Sequence, residues 1–225
     1  MYVLKKTFIT LTPMQYLFDG VKDFLANDYL EMKRHFRKIG KSQHPHTLFI
    51  GCSDSRIVPN LITKTLPGEL FVIRNIANLV PVYRESQEYL ATTSAIEYAV
   101  KVLNIENIII CGHSNCGGCK AVYMNEKETA EIPHTRKWIE LMGRVKTRVL
   151  EQLQPTPDGV VDEAKRELMT EQLNIVEQMN HLLSYPYIRK RYEEKTLNIL
   201  GWYYIIETGE VFNYDVEKQV FEKIV

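Results

Sequence analysis

The chain has 225 residues, 45% hydrophobic and 25% charged, with 28 basic against 28 acidic side chains. That length holds one α/β core without requiring two domains, and a formal net charge of zero excludes the basic excess that a large sequence-independent nucleic-acid footprint needs. No run approaches the roughly 18 apolar residues of a membrane span. Residues 7–18, after Lys5-Lys6, are broken by polar side chains and Pro13 and make a poor secretory leader. The expectation is a cytoplasmic protein with no nucleic-acid or membrane partner.

Thr12 followed by Pro13 is a helix start, a side-chain cap with proline at the first helical position. Helical spacing continues to about residue 38, predicting two helices broken near Asn27-Asp28 and stopped by Gly40. Tyr16, Leu17, Val21, Phe24 and Leu25 give one strongly apolar face. Such a face either packs on the chain's own core or serves as a partner-facing arm.

The centre alternates in the βαβ manner, with strand-like runs at 47–52, 70–74 and 107–111 and a helix over 86–102. The strand runs are rich in Ile, Val, Leu and Phe without clean alternation, as expected for strands covered on both faces. Helical stretches follow at 134–153 and 162–184, separated by the turn-rich segment 154–159. Residues 197–206 and 211–214 read as a hairpin across Glu207-Thr208-Gly209. The predicted fold class is α/β: a central, mostly parallel sheet flanked by helices, with an N-terminal helical arm (1–40) and a C-terminal hairpin-like β segment, in one domain over 1–225.

Two short clusters end the first and third strand runs: Cys52-Ser53-Asp54-Ser55-Arg56 and His113-Ser114-Asn115-Cys116. An open parallel sheet releases its C-terminal loops at one edge, where ligands bind, so the clusters can meet. They offer two thiolates, an imidazole and a carboxylate, a complete ligand set for one zinc ion. Cys52, His113 and Cys116 supply three ligands, and Asp54 is a possible fourth. One intervening residue on an extended segment puts Cys52 and Asp54 on the same side.

Charge separates the roles. Zinc with two thiolates and a neutral imidazole sums to zero, and adding Asp54 makes the site anionic. Arg56 can hold Asp54 away in a bidentate pair, leaving one coordination position open, as a catalytic rather than a structural site requires. Cys111, Cys116 and Cys119 crowd within nine residues, which points to metal or redox chemistry in a reducing compartment. Cys111 reads as a small apolar core residue. Cys116-Gly-Gly-Cys119 has the form of a redox dithiol, but that reading leaves Cys52, Asp54, Arg56 and His113 unexplained. His44 and His46 read as solvated, and Trp202 and Tyr203 as core.

Four motifs carry a family resemblance: Cys52-Ser-Asp-Ser-Arg56, Phe71-Val-Ile-Arg-Asn-Ile-Ala-Asn78, Ser94-Ala-Ile-Glu-Tyr98 and Cys111-Gly-His-Ser-Asn-Cys-Gly-Gly118. With Leu200-Gly-Trp-Tyr203 and Thr208-Gly209, they resemble the β-class carbonic anhydrases. The resemblance implies one zinc per chain on Cys52, His113 and Cys116, with Asp54 and Arg56 as the catalytic dyad. It implies reversible hydration of CO2 to bicarbonate and a proton. The Gln43 amide and a backbone N–H near Gly117 would bind bicarbonate oxygens, and Phe71, Ile76 and Tyr98 would form an apolar wall. It further implies a homodimer or homotetramer with shared sites, in which Gln43, Phe71 and Tyr98 reach the zinc of a neighbouring subunit and the N-terminal helices clasp the partner.

Some bacterial members of that family are switched off by bicarbonate held between Trp, Arg and Tyr. Arg74 and Tyr98 stand at matching positions, but Phe49 replaces the Trp and Ile57-Val58 adds a residue before Pro59, so an open site is expected. The proton shuttle is not assigned. The rival readings are a COS or CS2 hydrolase on the same scaffold and a non-catalytic zinc-binding module.

Overall fold

The computed structural model describes residues 12–85, 89–153 and 161–225. The chain divides into two compact units, Met1–Gln43 and His44–Val225. In the first, helix α1 (Pro13–Ala26) starts as expected, with the Thr12 hydroxyl accepting from the Gln15 amide at 3.2 Å. The break at Asn27 is present, and a second interruption at Met32 yields α2 (Asp28–Glu31) and α3 (Lys33–Ile39) rather than one helix. Gly40 follows α3 in a right-handed conformation (φ −65°), so it ends the helix without a left-handed cap. Phe24, Tyr29 and Phe36 hold the unit together, with the Tyr29 and Phe36 rings stacked at 5.5 Å. Met14, Leu17 and Val21 stay exposed. Residues 1–11 of the expected arm lie outside the described residues.

The second unit is built on a six-stranded sheet. Its strands are β1 (Thr47–Cys52), β2 (Leu70–Asn75), β3 (Asn107–His113), β4 (Asn198–Tyr204), β5 (Val211–Asp215) and β6 (Val220–Lys223), in spatial order β2-β1-β3-β4-β5-β6. The first four are parallel, and β5 and β6 are antiparallel. Every residue of β1 is buried, and β3 is buried from Ile108 onward, as helices on both faces demand. The expected hairpin is present between β4 and β5; β6 is an added strand, too short and polar to read in advance.

Among the helices, α4 (Pro59–Thr63) follows β1, and α5 (Leu90–Glu97) runs on as a π turn over Tyr98–Val102. Residues 86–88, where that helix was expected to start, and the 154–159 turn lie outside the described residues. After β3 come α6 (Gly117–Ala121), α7 (Pro133–Ile139) and α8 (Gly143–Gln152). A 3-10 turn at Glu140–Met142 splits the single stretch expected over 134–153. Helix α9 (Glu163–Leu183), capped by Asp162, and α10 (Pro186–Glu193) precede β4. Among the described residues no helix is long and apolar enough to cross a membrane.

Helix α9 sits close on the sheet because two strand positions lack side chains. A Cβ on Gly112 of β3 would come within 2.7 Å of Ile175 Cγ1, and one on Gly201 of β4 within 2.9 Å of Ile175 Cγ2. Ile175, Met179 and Leu182 form its apolar row in the core. Beside that row runs a polar one, Glu171, Asn174, Gln178 and His181, equally buried. It holds the segment after β2: Asn174 donates to the Ala77 carbonyl (2.9 Å), Gln178 accepts from the Val80 amide (2.8 Å), and His181 Nδ1 meets the Val80 carbonyl (2.6 Å).

Candidate metal centre

The strand order decides where the site lies. From β1 the chain moves to β2 on one side and, after crossing back, to β3 on the other. The C-terminal ends of β1 and β3 therefore flank the topological switch point, the crevice where open parallel sheets bind ligands. Cys52 ends β1 and His113 ends β3. Cys116 follows as the residue capping α6.

The donor atoms of Cys52, His113 and Cys116 all lie within 4.8 Å of one another, and all three residues are buried. The two Sγ atoms are 4.0 Å apart. Zinc–thiolate bonds of about 2.3 Å in a tetrahedron would set them about 3.8 Å apart, so the spacing fits the ion. His113 Nδ1 lies 2.9 Å from the Ser114 carbonyl. A carbonyl can only accept, so Nδ1 carries the proton and Nε2 presents its lone pair. That Nε2 is buried with no hydrogen-bond partner among the described residues, a costly state that a metal ion relieves.

The thiols point the same way. Cys52 is pushed up to about 12 by its contact with the Cys116 thiol and by burial. Cys116 is also pushed up to about 12, by the neighbouring Cys119 thiol and by burial. Two such thiols keep their protons in neutral solution unless a cation binds, since a coordinating thiol is deprotonated outright.

Asp54 stands outside that donor group. Arg56 holds it at three points: the Arg56 amide and Nε donate to Oδ1 at 3.0 and 2.8 Å, and Nη2 donates to Oδ2 at 2.7 Å. The guanidinium beside it keeps the carboxyl well below the usual carboxylate range. Oδ2 remains 3.9 Å from His113 Nε2, beside the metal position. Arg56 also donates to the Asn115 carbonyl at 3.2 Å, which joins the two loops.

Phe71 and Tyr98 pair with ring centroids 6.1 Å apart. Ile76 is 38% exposed, in a turn where Ala77 and Asn78 take φ of 61° and 49°. That turn is pinned by Trp138, which donates to the Ile76 carbonyl at 2.9 Å. Gly117 begins α6, with open space where its Cβ would be. Gln43 belongs to the first unit.

Some assignments shift. Cys111 lies in the core with Phe49 and Ile109, as expected. Tyr204 of β4 packs against that cluster, while Tyr98 lies on the π turn. Arg74 donates to the carbonyls of Cys52 (3.0 Å) and Asp54 (2.6 Å), clamping the loop backbone.

Glu171 went unread. Its carboxylate accepts from the Cys116 amide and from the Tyr203 hydroxyl, both at 2.8 Å. Burial raises its pKa, against the pull of those two donors. Tyr203 is core, as expected, but its hydroxyl has this partner. An available signal was a polar row at 3-4-3 spacing, directly beside the apolar row of the same helix.

A sequence model of the family described as carbonic anhydrase matches residues 47–211. A carbonic anhydrase of Helicobacter pylori (strain J99) is 44% identical over 209 residues, 92% of this chain and 93% of the relative. One from Synechococcus elongatus is 36% identical over 88% of this chain and 70% of its own length. The solved structure of the β-carbonic anhydrase CcaA superposes with a TM-score of 0.86 at 34% identity, covering 95% of this chain and all of that one. Structures of two tetrameric β-carbonic anhydrases from Sordaria macrospora include a chain at TM-score 0.73 and 30% identity, covering 89% and 95%. By matched length, identity and fold alike, this chain belongs to the β-class carbonic anhydrase family.

Proposed function

We propose that this chain catalyses the reversible hydration of CO2 to bicarbonate and a proton with one zinc held by Cys52, His113 and Cys116. The observation that carries the reading is Asp54: a carboxylate beside three metal donors, yet locked onto Arg56 and outside their group. A purely structural zinc site has no use for that arrangement, and the hydrolase alternative has no feature of its own to favour it. When bound, zinc supplies Lewis acidity and an acidified water as nucleophile.

The chain's own residues do the rest. Asp54 stays ionised and is therefore an acceptor only; at Oδ2 it takes the O–H of the attacking oxygen and turns a lone pair towards carbon. Arg56 keeps that carboxylate charged and off the metal. The Gly117 amide, and the Gln43 side chain of a neighbouring subunit, hold the product's oxygens. Phe71, Ile76 and Tyr98 form the apolar wall that receives CO2. Ile76 and Tyr98 are 38% and 44% exposed in a single chain, which supports a shared site completed by self-association. The N-terminal unit, with its exposed Met14, Leu17 and Val21, is assigned as the arm that clasps the partner, in a dimer or a tetramer. Metal-ligating thiols suit a reducing, cytoplasmic setting.

Stopped-flow CO2 hydration on zinc-quantified wild type and Asp54→Asn tests this. The variant should keep one zinc and its fold while losing turnover. Loss of zinc or of fold in the variant would make Asp54 a structural ligand and overturn the dyad.

A further inference from the structure

The metal ligands are held from the front by the Arg56 and Arg74 contacts, and Cys116 is held from behind by a residue with no part in the chemistry. Glu171 is 3% exposed and carries no arginine or lysine partner within hydrogen-bonding distance among the described residues. Its Oε1 accepts the Cys116 amide proton at 2.8 Å and its Oε2 the Tyr203 hydroxyl proton at 2.8 Å. Its position is fixed from below, because α9 presses on β3 and β4 through Ile175 at Gly112 and Gly201. Cys116 is the cap residue of α6, and the Glu171 contact anchors its amide.

We propose that Glu171 is a positioning residue for Cys116, fixing its backbone so that the thiol faces Cys52 and His113. The inference rests on the reading of Cys116 as a metal ligand. An isolated buried carboxylate is expensive, and two strong donors offset that cost only at this spot. A cavity of about 170 Å³, lined by Cys119, Lys120, Tyr123, Arg166 and Thr170, adjoins Glu171. Water from it can satisfy the Cys116 amide if the carboxylate is removed. What is then lost is the fixed position of the ligand more than the fold. Length, not charge, is the property that matters. Glutamine keeps both the reach and the acceptor oxygen, while aspartate keeps the charge but withdraws it by about 1.5 Å.

The test is release of zinc from the loaded full-length protein to a chromogenic chelator, in wild type, E171Q, E171D and E171A. E171D and E171A should release zinc about 10 to 100 times faster, the range for losing a partner of a metal ligand, and E171Q should stay near wild type. Cobalt-substituted protein should show shifted thiolate and d–d bands in E171D and E171A, and unshifted bands in E171Q. If E171A does not fold, the comparison of E171D with E171Q carries the test. Wild-type release from E171D, or E171Q releasing as fast as E171D, overturns the inference. Wild type that holds no zinc overturns instead the metal reading on which it rests.

Discussion

Adjacent glycines at the mouth of the site should respond in opposite ways to one added methyl group. A Cβ on Gly118 would lie 2.8 Å from Ile76 Cγ2, 2.9 Å from Ala77 Cβ and 3.1 Å from the Ala77 amide nitrogen. Two of those neighbours cannot swing aside. Ala77 sits at φ 61°, with its carbonyl bonded to Asn174 and the Ile76 carbonyl to Trp138. Overpacking of this kind costs about 1–3 kcal/mol, and the rigid turn argues for the upper end. Replacing glycine in a helix returns up to about 1 kcal/mol, leaving a net loss of about 2 kcal/mol. For a chain of this size that lowers the melting temperature by about 4–8 °C. Gly117→Ala meets nothing within 4 Å and should melt at or slightly above the wild-type temperature. Thermal unfolding of the zinc-loaded proteins by circular dichroism reads both. Stopped-flow hydration should show Gly118→Ala impaired, since the displaced turn carries Ile76. A Gly118→Ala protein melting with wild type, or a Gly117→Ala protein destabilised to the same degree, would show that this turn yields and that the packing argument is wrong.

Arg56→Ala should release Asp54 towards its ordinary pKa of 3.8. The folded value is depressed, so the pair's stabilisation is complete above about pH 4 and disappears as pH falls through the folded value. Urea midpoints of the metal-free proteins should therefore differ by a constant amount at neutral pH and converge in acid; a difference that grows on acidification would contradict this. Zinc binding near pH 7 should release about two protons per chain, because Cys52 and Cys116 are both pushed up to about 12 in its absence. Calorimetry in buffers of different ionisation enthalpy counts them, and a count near zero would mean preformed thiolates. Gln178→Ala should lower stability by about 1–3 kcal/mol by leaving buried polar groups unpaired, since Gln178 serves both the Val80 amide and Asn174. Urea unfolding checks it, and an unchanged midpoint would assign that network no energetic role.

The legible parts of the chain were those whose physics is local. The β1 run was readable because six consecutive buried positions leave an unbroken apolar signature, and Thr12-Pro13 because a cap is a two-residue event. The candidate site was readable because each of its two clusters, Cys52-Ser-Asp-Ser-Arg56 and His113-Ser-Asn-Cys116, starts at a strand end. The 134–153 stretch was not resolved into α7 and α8, since the helical period continues across the 3-10 turn at Glu140–Met142. For Asn174, Gln178 and His181 the 3-4-3 spacing of their row was legible but its burial was not, for a deeper reason. A polar row on a helix ordinarily faces water, and here it faces the backbone of a segment some hundred residues away. Its partners across that gap are backbone amides and carbonyls, which leave no trace in residue identity.

That contrast explains how a carboxylate can sit beside a dication site without joining it. For Asp54 to become a fourth ligand, the side chain must leave three donors on Arg56. Arg74 holds the loop backbone as well, through its bonds to the carbonyls on either side of Ser53. One arginine is supplied by the motif itself, two residues from Asp54. The other comes from β2, at Arg74. Charge-assisted bonds to rigid carbonyls are strong and geometrically exacting, so Arg74 fixes where the loop lies and Arg56 fixes which way its carboxylate points. The separation of Asp54 from the three donors is thus a property of two guanidinium groups acting on one five-residue loop.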